Sequence, residues 1–238
     1  MTQPFRTGSL YMPRIWPGLS ITHADSHLLI RSDRALQTVS SALWNGGSAS
    51  ATHFVNWRVP LTYRSDDPVD MVGKQLDKWG YPVDKTIGLA TAAKLELGSV
   101  IEEIGDEFDM VCLATAGTGN SSRAGTRRKT FSAYQCCTIN VFIFIEGSLS
   151  PAAMINGIIT ATEAKAAALQ DLAIHEESGA IATGTTTDSA VLAVSQNPQR
   201  PVHPFAGPAT TVGNAIGRLV YGAVYEAVSG QFQREESI

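Results

Sequence analysis

The sequence predicts a single α/β (α+β) domain: a mixed β-sheet with helices packed on it, in a form that admits two stacked sheets. Three observations point there. The first 60 residues carry short runs rich in β-branched and aromatic residues. From residue 68 onward, strand-like apolar runs alternate with segments of helical periodicity. The chain has 238 residues, 44% of them hydrophobic, enough to bury a core without metals or disulfides. An irregular lead-in over 1–19 precedes the domain proper at 20–238.

Composition narrows the partners. Charged residues are 17%, below the usual quarter, and the net charge is −4. A slightly acidic chain lacks the basic surface that phosphate backbones require, so nucleic acid is not an expected partner. The low charge leaves room for a homo-oligomer. The three cysteines, Cys112, Cys136 and Cys137, are odd in number, two are adjacent, and no CxxC pair exists. That pattern argues against a disulfide framework or a structural zinc site. The five histidines form no ligand cluster, so no metal site is assigned. The N-terminus has no signal-peptide pattern, and the apolar run 139–145 is far too short to span a bilayer. The expectation is a cytoplasmic protein with no membrane partner.

In chain order, the lead-in packs by Tyr11, Ile15 and Trp16. Segments 28–30, 35–39 and 53–57 read as short strands, with Asp33 in a turn between the first two and Asn45-Gly46-Gly47 breaking the chain before the third. Residues 68–79 read as a helix. Asp67 is its cap, Pro68 its first residue and Gly80 its stop. Segments 87–90 and 110–114 are strands that both run into Thr-Ala-small sequences, which places two strand ends at one site. The acid-rich stretch 95–108 between them reads as an exposed connection. Segment 138–145 is a buried strand interrupted by Asn140. A helix over 151–172 follows, then strands at 180–182 and 190–195 around a Thr-rich loop. A Pro-rich connection over 196–208 leads to a last helix over 211–230. Val212, Ile216, Leu219, Ala223 and Ala227 form its apolar face, and Gly213 and Gly217 its notch.

The chemistry concentrates between residues 150 and 195. On a 100° wheel Met154, Ile158, Ala161, Leu169 and Leu172 form one apolar stripe, and Lys165 sits in the middle of it. A lysine there must snorkel, find a partner or lose its proton. Asp188, at the end of Thr183-Gly184-Thr185-Thr186-Thr187-Asp188, is the expected partner, unless it only closes the turn through backbone N–H groups. An ammonium so held suits a general acid or an oxyanion stabiliser. Glu163 lies nearly opposite Lys165 on the wheel, either solvated or a second acid–base candidate. Asn45, Asn120 and Asn140 sit near strand ends or inside an apolar strand, where an amide either meets a ligand or ties strands together. The basic run Arg123, Arg127, Arg128 and Lys129 is either a solvated loop or a clamp on an anionic group.

Seven segments in order over roughly 20–230 resemble the adenosylcobinamide amidohydrolase (CbiZ-type) family. They are Ser40-Ser41-Ala42-Leu43-Trp44-Asn45-Gly46-Gly47, Thr91-Ala92-Ala93, Ala114-Thr115-Ala116-Gly117 with Asn120, Thr138-Ile139-Asn140, Thr160-Ala161-Thr162-Glu163-Ala164-Lys165, Ala182-Thr183-Gly184-Thr185-Thr186-Thr187-Asp188, and Ala206-Gly207 with Ala209-Thr210 and Gly213. One departure stands out: Thr186 occupies a position where the pattern has glycine, as a left-handed backbone would require. The resemblance implies hydrolysis of the amide that joins the corrin ring to its aminopropanol linker, giving adenosylcobyric acid. It also implies a corrinoid small-molecule partner and no cofactor of the protein's own, because cobalt arrives with the substrate. For that reaction the expected catalytic set is Lys165, Asp188 and Glu163. The expected substrate-binding set is Asn45, Thr115, Asn120, Asn140, Thr183, Gly184, Thr185 and Arg127. Water activated by Asp188 or Glu163, or a Thr hydroxyl at 115, 183 or 185, is the nucleophile. The other class that remains open is a corrinoid-binding protein that delivers its ligand uncut.

Overall fold

The computed structural model describes residues 3–62, 65–127 and 138–235. In chain order the elements are β1 (Leu10–Tyr11), β2 (Leu19–Ala24), β3 (His27–Ser40), β4 (Gly47–Arg58), α1 (Pro68–Lys78), β5 (Thr86–Thr91), β6 (Ser99–Ile104), β7 (Asp109–Ala116), β8 (Ser121–Ser122), β9 (Ile139–Glu146), β10 (Ser148–Leu149), α2 (Pro151–Asp171), β11 (Gly184–Thr185), β12 (Ser189–Val194), β13 (Val202–His203) and α3 (Thr211–Glu235). The mixed sheet and packed helices match the predicted class.

One strand joins the two halves of the sheet. β3 has β4 along one edge, while its other edge is shared by β2 (through residues 27–32) and β12 (through residues 37–40). From β12 the sheet continues through β9 and β7 to β6. The β2–β5 half then lies over the β12–β9–β7–β6 half. Leu28, Ile30, Phe54 and Leu89 from the first pack against Val111, Leu113, Phe142 and Phe144 from the second. Phe54 meets Phe144 edge to face, with ring centroids 5.0 Å apart.

The outer faces carry the helices because two pairs of neighbouring strands are parallel. A parallel pair needs a long crossover, usually a helix. α1 connects β4 to the parallel β5, and α2 lies in the connection from β9 to the parallel β12. α1 seats Val72 and Leu76 beside Val55 on one outer face. α2 and α3 cover Met110, Cys112, Ile143 and Leu192 on the other. The result is helix, sheet, sheet, helices. Period-two alternation decides which face each residue serves. In β9 the residues Ile139, Val141, Ile143 and Ile145 face the helices, whereas Phe142 and Phe144 face the inter-sheet core.

Three element predictions are corrected. Asp33 does not sit in a turn between two strands: β3 runs unbroken from His27 to Ser40, and the register against β4 shifts between Arg31 and Leu36. A bulge of this kind bends a strand without ending it. The stretch 95–108 is not an exposed connection. It contains β6, and its Leu95, Leu97, Val100 and Phe108 are buried. The acids mask this in the sequence: Glu102 and Glu103 are adjacent in β6 and so point to opposite faces, where Glu102 accepts from the Tyr11 hydroxyl and the Ile15 N–H and Glu103 accepts from Arg218. Residues 180–182 form no strand beyond an isolated bridge of Ile181 to His175, and the ladder lies two residues later, at Gly184–Thr185.

The Asp67 cap is present as predicted, its side chain accepting from the Asp70 N–H at 2.9 Å. The predicted face of α3 is fully inside, and a Cβ on Gly213 would collide with the carbonyls of Ala206 and Gly207. Among the described residues no helix is long and apolar enough to cross a membrane. Arg128, Lys129, Cys136 and Cys137 lie outside the described residues. Cys112 is fully buried, and burial pushes its thiol pKa up, away from nucleophilic use.

Candidate active site

The site forms where several strand ends meet α2. β5 and β7 finish here, and β9 and β12 begin here. Asp188 stands immediately before β12, and its carboxylate is held by four donors. Oδ1 accepts from the Ile139 N–H at 3.1 Å and from the Thr185 hydroxyl. Oδ2 accepts from the Thr185 N–H at 3.0 Å and from the Lys165 ammonium. Asp188 thus closes its own turn and pairs with Lys165, so both readings of it from the sequence describe one geometry. The pair is largely withdrawn from water, with side-chain exposures of 12% for Lys165 and 14% for Asp188.

Gly184 makes the pairing possible. A Cβ there would lie 2.6 Å from Lys165 Nζ and closer still to Asp188 Oδ2. The Thr hydroxyls around it are mostly structural. Thr183 Oγ1 accepts from the Ala124 N–H at 2.9 Å, and Thr186 Oγ1 accepts from Asn120 Nδ2 at 2.7 Å. With the β8–β11 ladder, these bonds fasten loop 117–127 onto the Thr-rich segment. Arg123 donates to the Ile181 carbonyl at 2.7 Å, and Arg127 is exposed. Thr186 is absent from the residues with positive φ. Its Cβ therefore meets no left-handed strain, and the missing glycine is not required at this position.

Lys165 and Asp188 line a cavity of about 280 Å³ together with Ser41, Ile158, Thr162 and Ser189. The Ser41 hydroxyl in this lining accepts from the Ala190 N–H at 3.1 Å.

A second polar cluster lies deeper, between the sheets. Asn140 Nδ2 donates to Asn56 Oδ1 at 2.8 Å and to the Ala90 carbonyl at 3.1 Å. Asn56 Nδ2 donates to Thr115 Oγ1 at 2.8 Å. All three side chains are buried. The two strands predicted to converge, those ending at Thr91 and Thr115, do meet here. The cluster reaches the Asp188 turn through Thr138, whose hydroxyl donates to the Thr187 carbonyl at 2.7 Å.

The remaining predicted residues fall elsewhere. Asn45 adopts φ 53° and spends its amide on the Val83 and Thr86 carbonyls, at 2.7 and 2.9 Å, pinning the β3–β4 turn to the start of β5. Glu163 is exposed on the other side of α2 and faces a groove of about 410 Å³ that α2 forms with Arg218 and Tyr221 of α3. Two residues along a helix is a 200° turn, so Glu163 cannot join Lys165. The sequence reading missed Asn56 and Ser41. Asn56 was detectable as a polar residue two positions after Phe54, on the core face of an alternating strand. Ser41 carried no such signal.

A lysine ammonium fixed by a carboxylate in a cavity wall is equipped to stabilise an oxyanion and to protonate a leaving group, the needs of a hydrolase acting on an acyl bond. The family comparison agrees. The chain belongs to the adenosylcobinamide amidohydrolase family, whose model matches residues 14–236, and it is accordingly an enzyme of the amidohydrolase class. It is 32% identical over 203 residues to the adenosylcobinamide amidohydrolase of Methanosarcina mazei, covering 82% of this chain and 90% of that one. It is 29% identical over 194 residues to an uncharacterized protein of Methanocaldococcus jannaschii, covering 73% and 74%. Among solved structures, the L-aminopeptidase D-Ala-esterase/amidase of Ochrobactrum anthropi superposes with a TM-score of 0.40 at 12% identity, over 95% of this chain and 86% of that one.

Proposed function

We propose that this enzyme hydrolyses the amide between the corrin ring's propionyl arm and aminopropanol in adenosylcobinamide. Water adds across the C–N bond, releasing adenosylcobyric acid and aminopropanol, a step of corrinoid salvage. Cobalt enters as part of the substrate. The observation that carries the reading is Lys165, fixed by Asp188 in the wall of the cavity. At about 280 Å³ the cavity falls just under the usual size of a small-ligand site, about 300–1,000 Å³. It admits an amide-bearing arm and leaves the macrocycle outside.

In this reading the Lys165 ammonium faces the carbonyl oxygen as it becomes an oxyanion, then gives its proton to the departing amine. Asp188 holds the ammonium in place. Asn140, Asn56 and Thr115 brace the strands beneath the site from positions too buried to touch substrate. The nucleophile is water or the Thr185 hydroxyl. The second is favoured by one contact: the Thr185 hydroxyl donates to Asp188 Oδ1, a base that can take its proton.

The test is turnover of adenosylcobinamide, followed by mass detection of cobyric acid. Lys165→Met and Asp188→Asn should each lower kcat by about 10²- to 10³-fold, the usual loss for one oxyanion-stabilising group. Near wild-type turnover in both variants would sink the assignment. Thr185→Val separates the nucleophiles: loss of a trappable acyl-enzyme on residue 185 identifies Thr185, and retained turnover identifies water. Tight corrinoid binding by the wild type with no aminopropanol released would reveal a carrier instead.

A further inference from the structure

The outer ridge of α2 carries an apolar surface that the chemistry described above does not use. Ile155 and Ile159 are one helical turn apart and are 58% and 52% exposed. Thr162 continues the ridge one turn further on and also lines the Lys165 cavity. Phe205, 66% exposed, flanks the ridge. Its neighbour Ala206 is fastened to α2 by donating its N–H to Asn156 Oδ1 at 3.0 Å. The interior of this helix does not need these side chains, because its buried face is made by Met154, Gly157, Ala161, Ala164 and Ala168.

We propose that this ridge is the platform for the substrate's macrocycle: the flat, methyl-bearing face of the corrin lies over Ile155 and Ile159, and its amide arm turns past Thr162 into the cavity. The proposal rests on the corrinoid reading above. Three features support it. The cavity is too small for a tetrapyrrole-sized ring, so the ring must rest on a surface continuous with its mouth, and Thr162 provides that continuity. The spacing suits a ring one short arm away from the reacting bond, since Ile159 is six residues before Lys165, roughly 9 Å along the helix axis. The extent suits a small planar ligand better than a second copy of the chain. Two isoleucines and a phenylalanine expose an area on the order of 400 Å², whereas a stable protein interface takes roughly 800 Å² from each partner.

The experiment compares the wild type with Ile155→Asp/Ile159→Asp and with the conservative Ile155→Leu/Ile159→Leu. Binding of cobinamide and of cobyric acid is measured by equilibrium dialysis with absorbance detection, alongside turnover and sedimentation. Cobyric acid has the ring but lacks the linker. The expected result is that the Asp pair weakens both corrinoids by about the same factor, tenfold or more. It raises KM in step, and the Leu pair restores both. Unchanged affinity for both corrinoids in a folded Asp variant would overturn the proposal. So would a wild-type dimer that the Asp pair splits with affinity intact, because the ridge would then join two copies. Failure of the amidase reading looks different: the wild type would bind corrinoids and release no aminopropanol.

Discussion

Gly184→Ala tests the site with one methyl group. The added carbon would stand 2.6 Å from Lys165 Nζ and closer to Asp188 Oδ2. Lysine's end is flexible and can withdraw. Asp188 cannot move without giving up the Ile139 N–H, the Thr185 N–H and the Thr185 hydroxyl. The cheapest response is therefore separation of the ion pair and a shift of the 184–188 turn. Overpacking of this kind costs about 1–3 kcal/mol, and full rupture of a buried pair about 3–5 kcal/mol. Because Lys165 can reach solvent, we expect about 2–3 kcal/mol, a melting temperature lower by roughly 5–10 °C for a chain of this length. Turnover should fall further than stability, by about 10²-fold, the cost of misplacing a catalytic group by roughly 1 Å. The assays are calorimetric melting and cobyric acid release. A variant with native melting temperature and turnover within twofold of wild type would refute the argument that Gly184 exists to admit the pair.

Three further outcomes follow from the same geometry. Asn56→Ala and Asn140→Ala should each cost about 1–3 kcal/mol in denaturant unfolding, since each strands a buried partner, and the double variant should cost less than the sum. Thr186→Gly should lose the bond from Asn120 and add a glycine's backbone entropy, about 1–2 kcal/mol together, with turnover retained, because the backbone at 186 is not left-handed. His27, stacked on Trp79 and bonded through Nε2 to the Tyr81 hydroxyl at 2.8 Å, has its pKa lowered by burial from 6.5 to about 4, with His23 adding to the effect and Asp25 opposing it. Between those pH values the unfolded chain binds a proton that the folded chain refuses, so stability is lost as pH falls through that window. His27→Gln should flatten this loss in unfolding curves at pH 7.5 and 5, and an unchanged pH slope would contradict it.

By itself the sequence determined the elements whose signals are local. Asp67 and Pro68 set the start of α1, a 3.6-residue period marked α2 and α3, and an apolar run interrupted only by Asn140 marked β9. It also singled out Lys165, because a charge inside an apolar stripe is visible on a wheel, and it placed Asp188 in a segment too polar for core. Tertiary structure decided the rest. A strand's edge partners leave no trace in its own residues, so the sharing of β3 between β2 and β12, and the stacked halves that follow, needed the folded chain. The acids of β6 looked like solvent-loving loop until the fold supplied their partners, the Tyr11 hydroxyl and Ile15 N–H for Glu102 and Arg218 for Glu103. Asn140 and Asn45 looked alike as isolated amides. Only the positions of distant carbonyls and of Asn56 turned one into a brace between sheets and the other into a pin on a turn. Glu163 and Lys165 are two residues apart in the chain yet face different cavities, because a helix turns 200° between them and the fold fills each side with different neighbours.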